Sequence, residues 1–209
     1  MKSKQNLLDQ LKGMPHFSKD SLYQLAKQLG LADATINTYI SRFLRHKEIM
    51  QLKRGLYVAT DFFGKNRSNP SYFFYLANII RTPSYVSSWS ALQFYNLTTE
   101  AIHGITSVTP KVTRNYRTKA GSFSYQSLKQ DLFSDFSLMR GQGSSFDFFI
   151  ASPAKALFDL LYFKTHQFRG VRIKDTKALV EELRIDIDEM DKKERSRFYA
   201  WIEKYFRDE

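Results

Sequence analysis

Along residues 33–45, Asp-Ala-Thr-Ile-Asn-Thr-Tyr-Ile-Ser-Arg-Phe-Leu-Arg, one set of side chains has the chemistry to read nucleobases. Thr35, Asn37, Thr38, Ser41, Arg42 and Arg45 fall on one side of a helix, short hydrogen-bonding groups first and guanidinium groups last. Asn and Arg can pair bidentately with adenine and guanine edges in a DNA major groove. The opposite side carries Ile36, Tyr39, Ile40, Phe43 and Leu44, spaced i, i+3, i+4, i+7 and i+8, one apolar stripe of 3.6 period. Any surface helix shows a polar face, so the neighbours must decide. Nearby stand Lys53 and Arg54, which with Arg45 would mainly contact phosphate. Ser18 at the start of the preceding helix completes the candidate DNA-binding set. Further on, Lys111, Arg114, Arg117 and Lys119 form a second basic patch. It reads equally well as a phosphate or docking surface, or as charge that protects an edge strand from aggregation.

Catalytic sets are missing from the same inventory. Metal-assisted phosphodiester hydrolysis needs carboxylates held close together, and the middle of the chain offers only Asp61, Glu100, Asp131, Asp135, Asp147 and Asp159. Residues 143–147, Gly-Ser-Ser-Phe-Asp, faintly resemble a nucleotidyltransferase signature, but Phe149 stands where its second carboxylate belongs, so a hairpin turn is the better reading. The histidines His16, His46, His103 and His166 show no metal-ligand spacing. No phosphate-binding Gly loop is followed by Lys-Ser/Thr. Lys155 and Asp159 read as an ordinary intrahelical ion pair. No enzyme activity, metal or cofactor is expected.

Composition agrees with a polyanionic partner. The chain of 209 residues carries a formal charge of +11, which favours nucleic acid over an anionic membrane surface. Residues 1–60 hold ten Lys/Arg against four Asp/Glu, whereas residues 164–209 hold twelve against eleven, so the excess lies towards the front. Eighteen Phe and twelve Tyr supply a core. The absence of cysteine excludes disulfides and thiolate chemistry. No apolar run is long enough for a membrane span, and Met1–Leu7 is polar, unlike a signal peptide. The expected compartment is the cytoplasm.

These residues need elements to hold them. A short helix is expected at Gln5–Leu11, then a second one capped by Ser18 with Leu22, Leu25, Ala26 and Leu29 inward and Gly30 ending it. Asp33 is the expected cap of the third. Two amphipathic helices around a tight turn make a helix-turn-helix. Residues 48–59 read as two strands around Lys53-Arg54-Gly55, a basic hairpin in the place of a wing. A polar linker is expected over Asp61–Asn69, ahead of a buried aromatic helix at Tyr72–Ile80. Strands follow at Ile105–Val112, Arg114–Thr118, Ser122–Gln126, Ser137–Arg140 and Phe146–Ile150. A helix opens at Ser152-Pro153, and two more lie at Lys174–Leu183, with Ala178, Leu179, Val180 and Leu183 inward, and Lys192–Phe206. The expected fold is α+β: an N-terminal winged helix-turn-helix over residues 1–62, and over residues 70–209 a mixed α/β domain with a mainly antiparallel sheet and C-terminal helices.

Several stretches, in order, carry a resemblance. They are residues 54–58 (Arg-Gly-Leu-Tyr-Val), 85–92 (Tyr-Val-Ser-Ser-Trp-Ser-Ala-Leu), 106–109 (Thr-Ser-Val-Thr), 121–125 (Gly-Ser-Phe-Ser-Tyr) and 151–162 (Ala-Ser-Pro-Ala-Lys-Ala-Leu-Phe-Asp-Leu-Leu-Tyr). Over about residues 15–165 the chain resembles the AbiEi antitoxins of type IV toxin–antitoxin systems. It departs from them at Ala154, where Glu is frequent, and at Asn96-Leu97, where a Gly-Leu pair is frequent. The resemblance implies a repressor of its own operon in bacterial phage defence, binding inverted repeats in double-stranded DNA. It also implies an antitoxin countering a nucleotidyltransferase-like toxin without a stable complex. A monomer or weak dimer in solution is expected, with two copies on two half-sites. The competing reading is an interaction protein whose C-terminal domain binds a protein partner while the winged helix only docks it.

Overall fold

Leu7, Leu8 and Leu11 are buried along helix α1 (Lys2–Lys12) and begin a small core. The computed structural model describes residues 2–101, 103–141, 146–169 and 175–205, and over these the chain is α+β. Strand β1 (Phe17–Ser18) leads into helix α2 (Lys19–Gln28), whose first turn is capped by Ser18 Oγ accepting from Ser21 N at 2.9 Å. Gly30 follows with φ +71°, the left-handed conformation that ends a helix without a Cβ penalty. Helix α3 (Asp33–Arg45) buries Ile36, Ile40 and Phe43, the expected stripe. Its N-cap is Ala32, with no side-chain bond, and Asp33 lies instead in the first turn. There its carboxylate still meets the positive end of the helix dipole. Strands β2 (Ile49–Lys53) and β3 (Leu56–Ala59) form the hairpin, and β1 adds to β3, giving the order β1-β3-β2.

The polar linker expected over Asp61–Asn69 is a helix for most of its length. Helix α4 (Thr60–Asn66) lays Phe62 and Phe63 against Tyr72, Phe73 and Phe146. Burial of two aromatic rings outweighs the roughly 1 kcal/mol helix penalty of Gly64. Asn69 then caps helix α5 (Pro70–Ile80) by accepting from Ser71 N at 3.0 Å.

The front and back of the chain are pinned together by α5. The Tyr72 hydroxyl donates to Pro15 O at 2.7 Å, and the Tyr75 hydroxyl lies 2.7 Å from His16 Nδ1. Half-burial lowers the His16 pKa below its ordinary 6.5. The folded protein therefore binds this proton less readily than the unfolded chain. Stability from the neutral ring is full above 6.5 and is lost as pH falls from there through the lowered folded value. We expect the urea midpoint to drop more between about pH 7 and about pH 5.5 in the wild type than in His16→Gln. Equal drops would remove His16 as the cause.

The hairpin has two faces and serves two cores. Ile49 and Tyr57 join the small cluster with α1–α3, whereas Met50, Leu52, Leu56 and Val58 join the large one behind it. That large core is built on a six-stranded sheet containing β4 (Tyr85–Val86), β5 (Ile105–Thr109), β6 (Arg114–Thr118), β7 (Gly121–Ser127), β8 (Phe136–Arg140) and β9 (Asp147–Ala151). The order is β6-β7-β5-β4-β9-β8. The β5·β7 and β4·β9 pairs are parallel, the other three antiparallel, so the sheet is more mixed than the sequence suggested. The reason is topological: β7 returns from its hairpin with β6 to lie between β6 and β5, and β9 returns beside β4 from far along the chain. Strand β5 stops at Thr109 rather than Val112 because Pro110 cannot donate to a ladder.

Helices α6 (Ser88–Phe94), α7 (Pro153–Lys164), α8 (Asp175–Glu182) and α9 (Lys192–Tyr205) are the remaining described α-helices, with short 3-10 turns at Gln130–Leu132 and Ile187–Glu189. Ser152 caps α7 by accepting from Lys155 N at 3.3 Å, with Pro153 at its first position. The α8 stripe is narrower than expected: Val180 is buried and Leu179 and Leu183 partly so, but Ala178 is exposed. Of the expected tail and turn residues, Phe206, Lys174 and residues 142–145 lie outside those described. No described helix is long and apolar enough to cross a membrane.

Candidate functional site

The side chains expected to read bases are almost all on one open surface. Asn37, Thr38, Ser41, Arg42 and Arg45 are exposed on α3, and Thr35 is half-buried at its edge. The Ser41 hydroxyl donates back to Asn37 O at 3.0 Å and the Thr38 hydroxyl to Ala34 O at 3.3 Å. Each hydroxyl proton is thus occupied within the helix, leaving lone pairs as acceptors outward. Asn37, Arg42 and Arg45 make no side-chain hydrogen bond or ion pair with any described residue. Their amide and guanidinium donors face water, with nothing among the described residues to satisfy them.

The hairpin turn divides differently from what its composition suggests. Arg54 is exposed and has no partner among the described residues, but Lys53 is half-buried and its ammonium donates to Ile80 O at 2.5 Å. Ile80 ends α5, so Lys53 places a cation on the carbonyl end of that helix, where the dipole is negative. Lys111, itself exposed, donates to Thr82 O at 2.5 Å, just past the end of α5. Arg81 between them donates to Val112 O. Lys53 therefore caps a helix end, and both ammonium groups already hold a backbone carbonyl. Ser18 likewise spends its side chain on the α2 cap and on Ser21 Oγ, 2.8 Å away. Lys53 and Lys111 thus have structural duties that local sequence could not reveal, because the carbonyls they meet lie far along the chain, whereas the Ser18 cap is the expected one.

Arg114, Arg117 and Lys119 remain exposed, on or next to β6, the edge strand of the large sheet. Arg114 lies over the Tyr116 ring at 5.9 Å, a partial cation–π contact. The chain matches no family model, and no curated protein matches it.

The intrahelical ion pair expected at Lys155 and Asp159 is present, but its burial and its further partners escaped the sequence reading. Lys155 and Asp159 are fully buried on α7, joined Nζ to Oδ1. Asp159 Oδ2 accepts from the Ser87 hydroxyl at 2.6 Å and the Tyr85 hydroxyl at 3.0 Å. The ammonium also sits 5.0 Å from the Phe158 ring centroid, 5.3 Å from Trp201 and 6.0 Å from Tyr85. Burial pushes the Asp159 carboxyl above its ordinary range, against the opposing pull of Lys155 and the two hydroxyls. Burial first, and then Asp159, push the Tyr85 phenol far up, so it remains a donor. A signal for this was present: Ala154, Ala156, Leu157, Phe158, Leu160, Leu161 and Tyr162 surround the pair, and a helix apolar all round is buried. No three His, Asp or Glu side chains among the described residues come together as a metal-ligand set.

Proposed function

We propose that this protein is a DNA-binding repressor and antitoxin of the type IV toxin–antitoxin kind. The observation that carries the DNA part is the unpaired row Asn37, Arg42 and Arg45 on the exposed face of α3, with the hairpin following it directly. In this reading α1–α3 and the β2–β3 hairpin are a winged helix-turn-helix, and α3 enters the major groove. Asn37, Thr38, Ser41 and Arg42 address base edges while Arg45 and Arg54 hold phosphate. The net charge of +11 supports it. The antitoxin part rests on the ordered resemblance to the AbiEi family, in which the repressor counters a nucleotidyltransferase-like toxin.

Two linked measurements test it. In a gel shift, the purified chain should retard a duplex from upstream of its own gene at concentrations that leave a random duplex free. Co-expression should relieve growth arrest by a nucleotidyltransferase encoded beside it. Equal affinity for both duplexes removes the repressor reading, and unrelieved arrest removes the antitoxin reading.

The competing reading, a protein-interaction module, draws on one fact. Met50, Leu52, Leu56 and Val58 pack the hairpin onto the large core, so the front unit is joined to the back by buried side chains. A stoichiometric protein partner with no binding to promoter DNA would favour it.

A further inference from the structure

Two sheet edges from opposite parts of the chain meet beside the hairpin turn. Strand β2 is the edge of the small sheet and β6 the edge of the large one, and they lie side by side without pairing. Between them is a cleft of about 400 Å³, lined by Gln51, Lys53 and Arg54 from the hairpin and by Asn115, Tyr116 and Arg117 from β6. No acidic side chain lines it. Arg54, Arg117, Gln51 and Asn115 are exposed, so two guanidinium groups and two amides present donors to it. A further cation, Arg81, follows Ile80, the residue whose carbonyl holds Lys53; it is about nine-tenths buried, and its Nε has no hydrogen-bond partner among the described residues. The cleft is also continuous with the front unit: Lys19 N, at the start of α2, donates to Gly55 O at 2.8 Å, next to Arg54.

We propose that this cleft is a phosphodiester-binding site made jointly by the hairpin turn and strand β6, so that the C-terminal sheet holds the DNA backbone alongside α3. The inference rests on the DNA-binding reading and adds to it a contact from a separate unit. Arg117 is the residue that carries it, with Arg54 opposite. Guanidinium and amide donors suit phosphate oxygens and carry no base preference. Lys53 acts indirectly, because its ammonium is held on Ile80 O and sets the hairpin's position against α5.

The test is the salt dependence of duplex binding by the full chain, using both the upstream and a random duplex. Each phosphate contact contributes about 0.9 to the slope of log K against log salt. Arg117→Ala and Arg54→Ala are each expected to reduce its magnitude by about one, and the double variant by about two, equally on both duplexes. Arg117→Gln should match Arg117→Ala and keeps the test open should the alanine variant fold poorly. Wild-type slopes in both Arg117 variants, with a reduced slope in Arg54→Ala, would overturn the joint site while leaving α3 as the reader. Loss of poly-glutamate binding in Arg117→Ala with an unchanged DNA slope would make the cleft a protein site and also overturn it. If the wild type binds no duplex even at low salt, the DNA reading falls and takes this inference with it.

Discussion

Asp159→Ala is expected to destabilise the protein by about 3–5 kcal/mol, the cost of leaving a buried charge without its partner. The carboxylate has three donors: the Lys155 ammonium and the hydroxyls of Ser87 and Tyr85. Its loss strands all three in a region where both members of the pair are fully buried. The rings of Phe158, Trp201 and Tyr85 would still face the ammonium, and a desolvated cation–π contact, worth about 2 kcal/mol, offsets only part of that cost. Lys155→Met combined with Asp159→Leu should cost less than Asp159→Ala alone. Both charges are then gone, and only the two hydroxyls lack an acceptor. Urea denaturation of the three proteins decides the matter. A midpoint for Asp159→Ala within error of the wild type, or a double variant worse than the single, would show that the pair is not what holds α7 against β4 and α9.

The second large effect concerns DNA. Arg42→Ala is expected to weaken binding to the upstream duplex by about 1–3 kcal/mol if its guanidinium pairs with a base, while changing random-duplex affinity far less. Arg42 is exposed and has no partner among the described residues, so its removal should leave the melting temperature where it was. That separates it from Asp159, whose variant should fail through unfolding. Arg45→Ala, in a phosphate role, should weaken both duplexes alike and lower the salt slope by about one. Parallel loss on both duplexes in Arg42→Ala would move that residue from base reading to backbone contact.

The α3 surface was legible early because a helix face is a local property: Ile36, Ile40 and Phe43 point inward, and the polar residues between them must point out. The same holds for the Ser18 and Ser152 caps and for the β6–β7 hairpin, each decided within a few neighbouring residues. The supposed linker failed for an instructive reason. Its Gly, Asn and Lys suggested a loop, but Phe62 and Phe63 found rings more than eighty residues away in Phe146 and nearby in Tyr72 and Phe73. Tertiary burial overrode propensity.

Lys53 and Arg54 make the general point most sharply. Adjacent and alike in charge, they were given one role by the sequence, yet one caps the end of α5 and the other stands free in the cleft beside Arg117. Sequence by itself determined the α+β class, the position of the amphipathic helices, the excess of positive charge and the open face of α3, since each follows from periodicity or composition over a short window. Tertiary structure alone decided which cations stay available, that Ser87 and Tyr85 join Lys155 and Asp159 in one buried network, and that β2 and β6 meet at one cleft. Those outcomes depend on carbonyls, rings and strand edges brought together from distant parts of the chain, and no local pattern encodes that meeting.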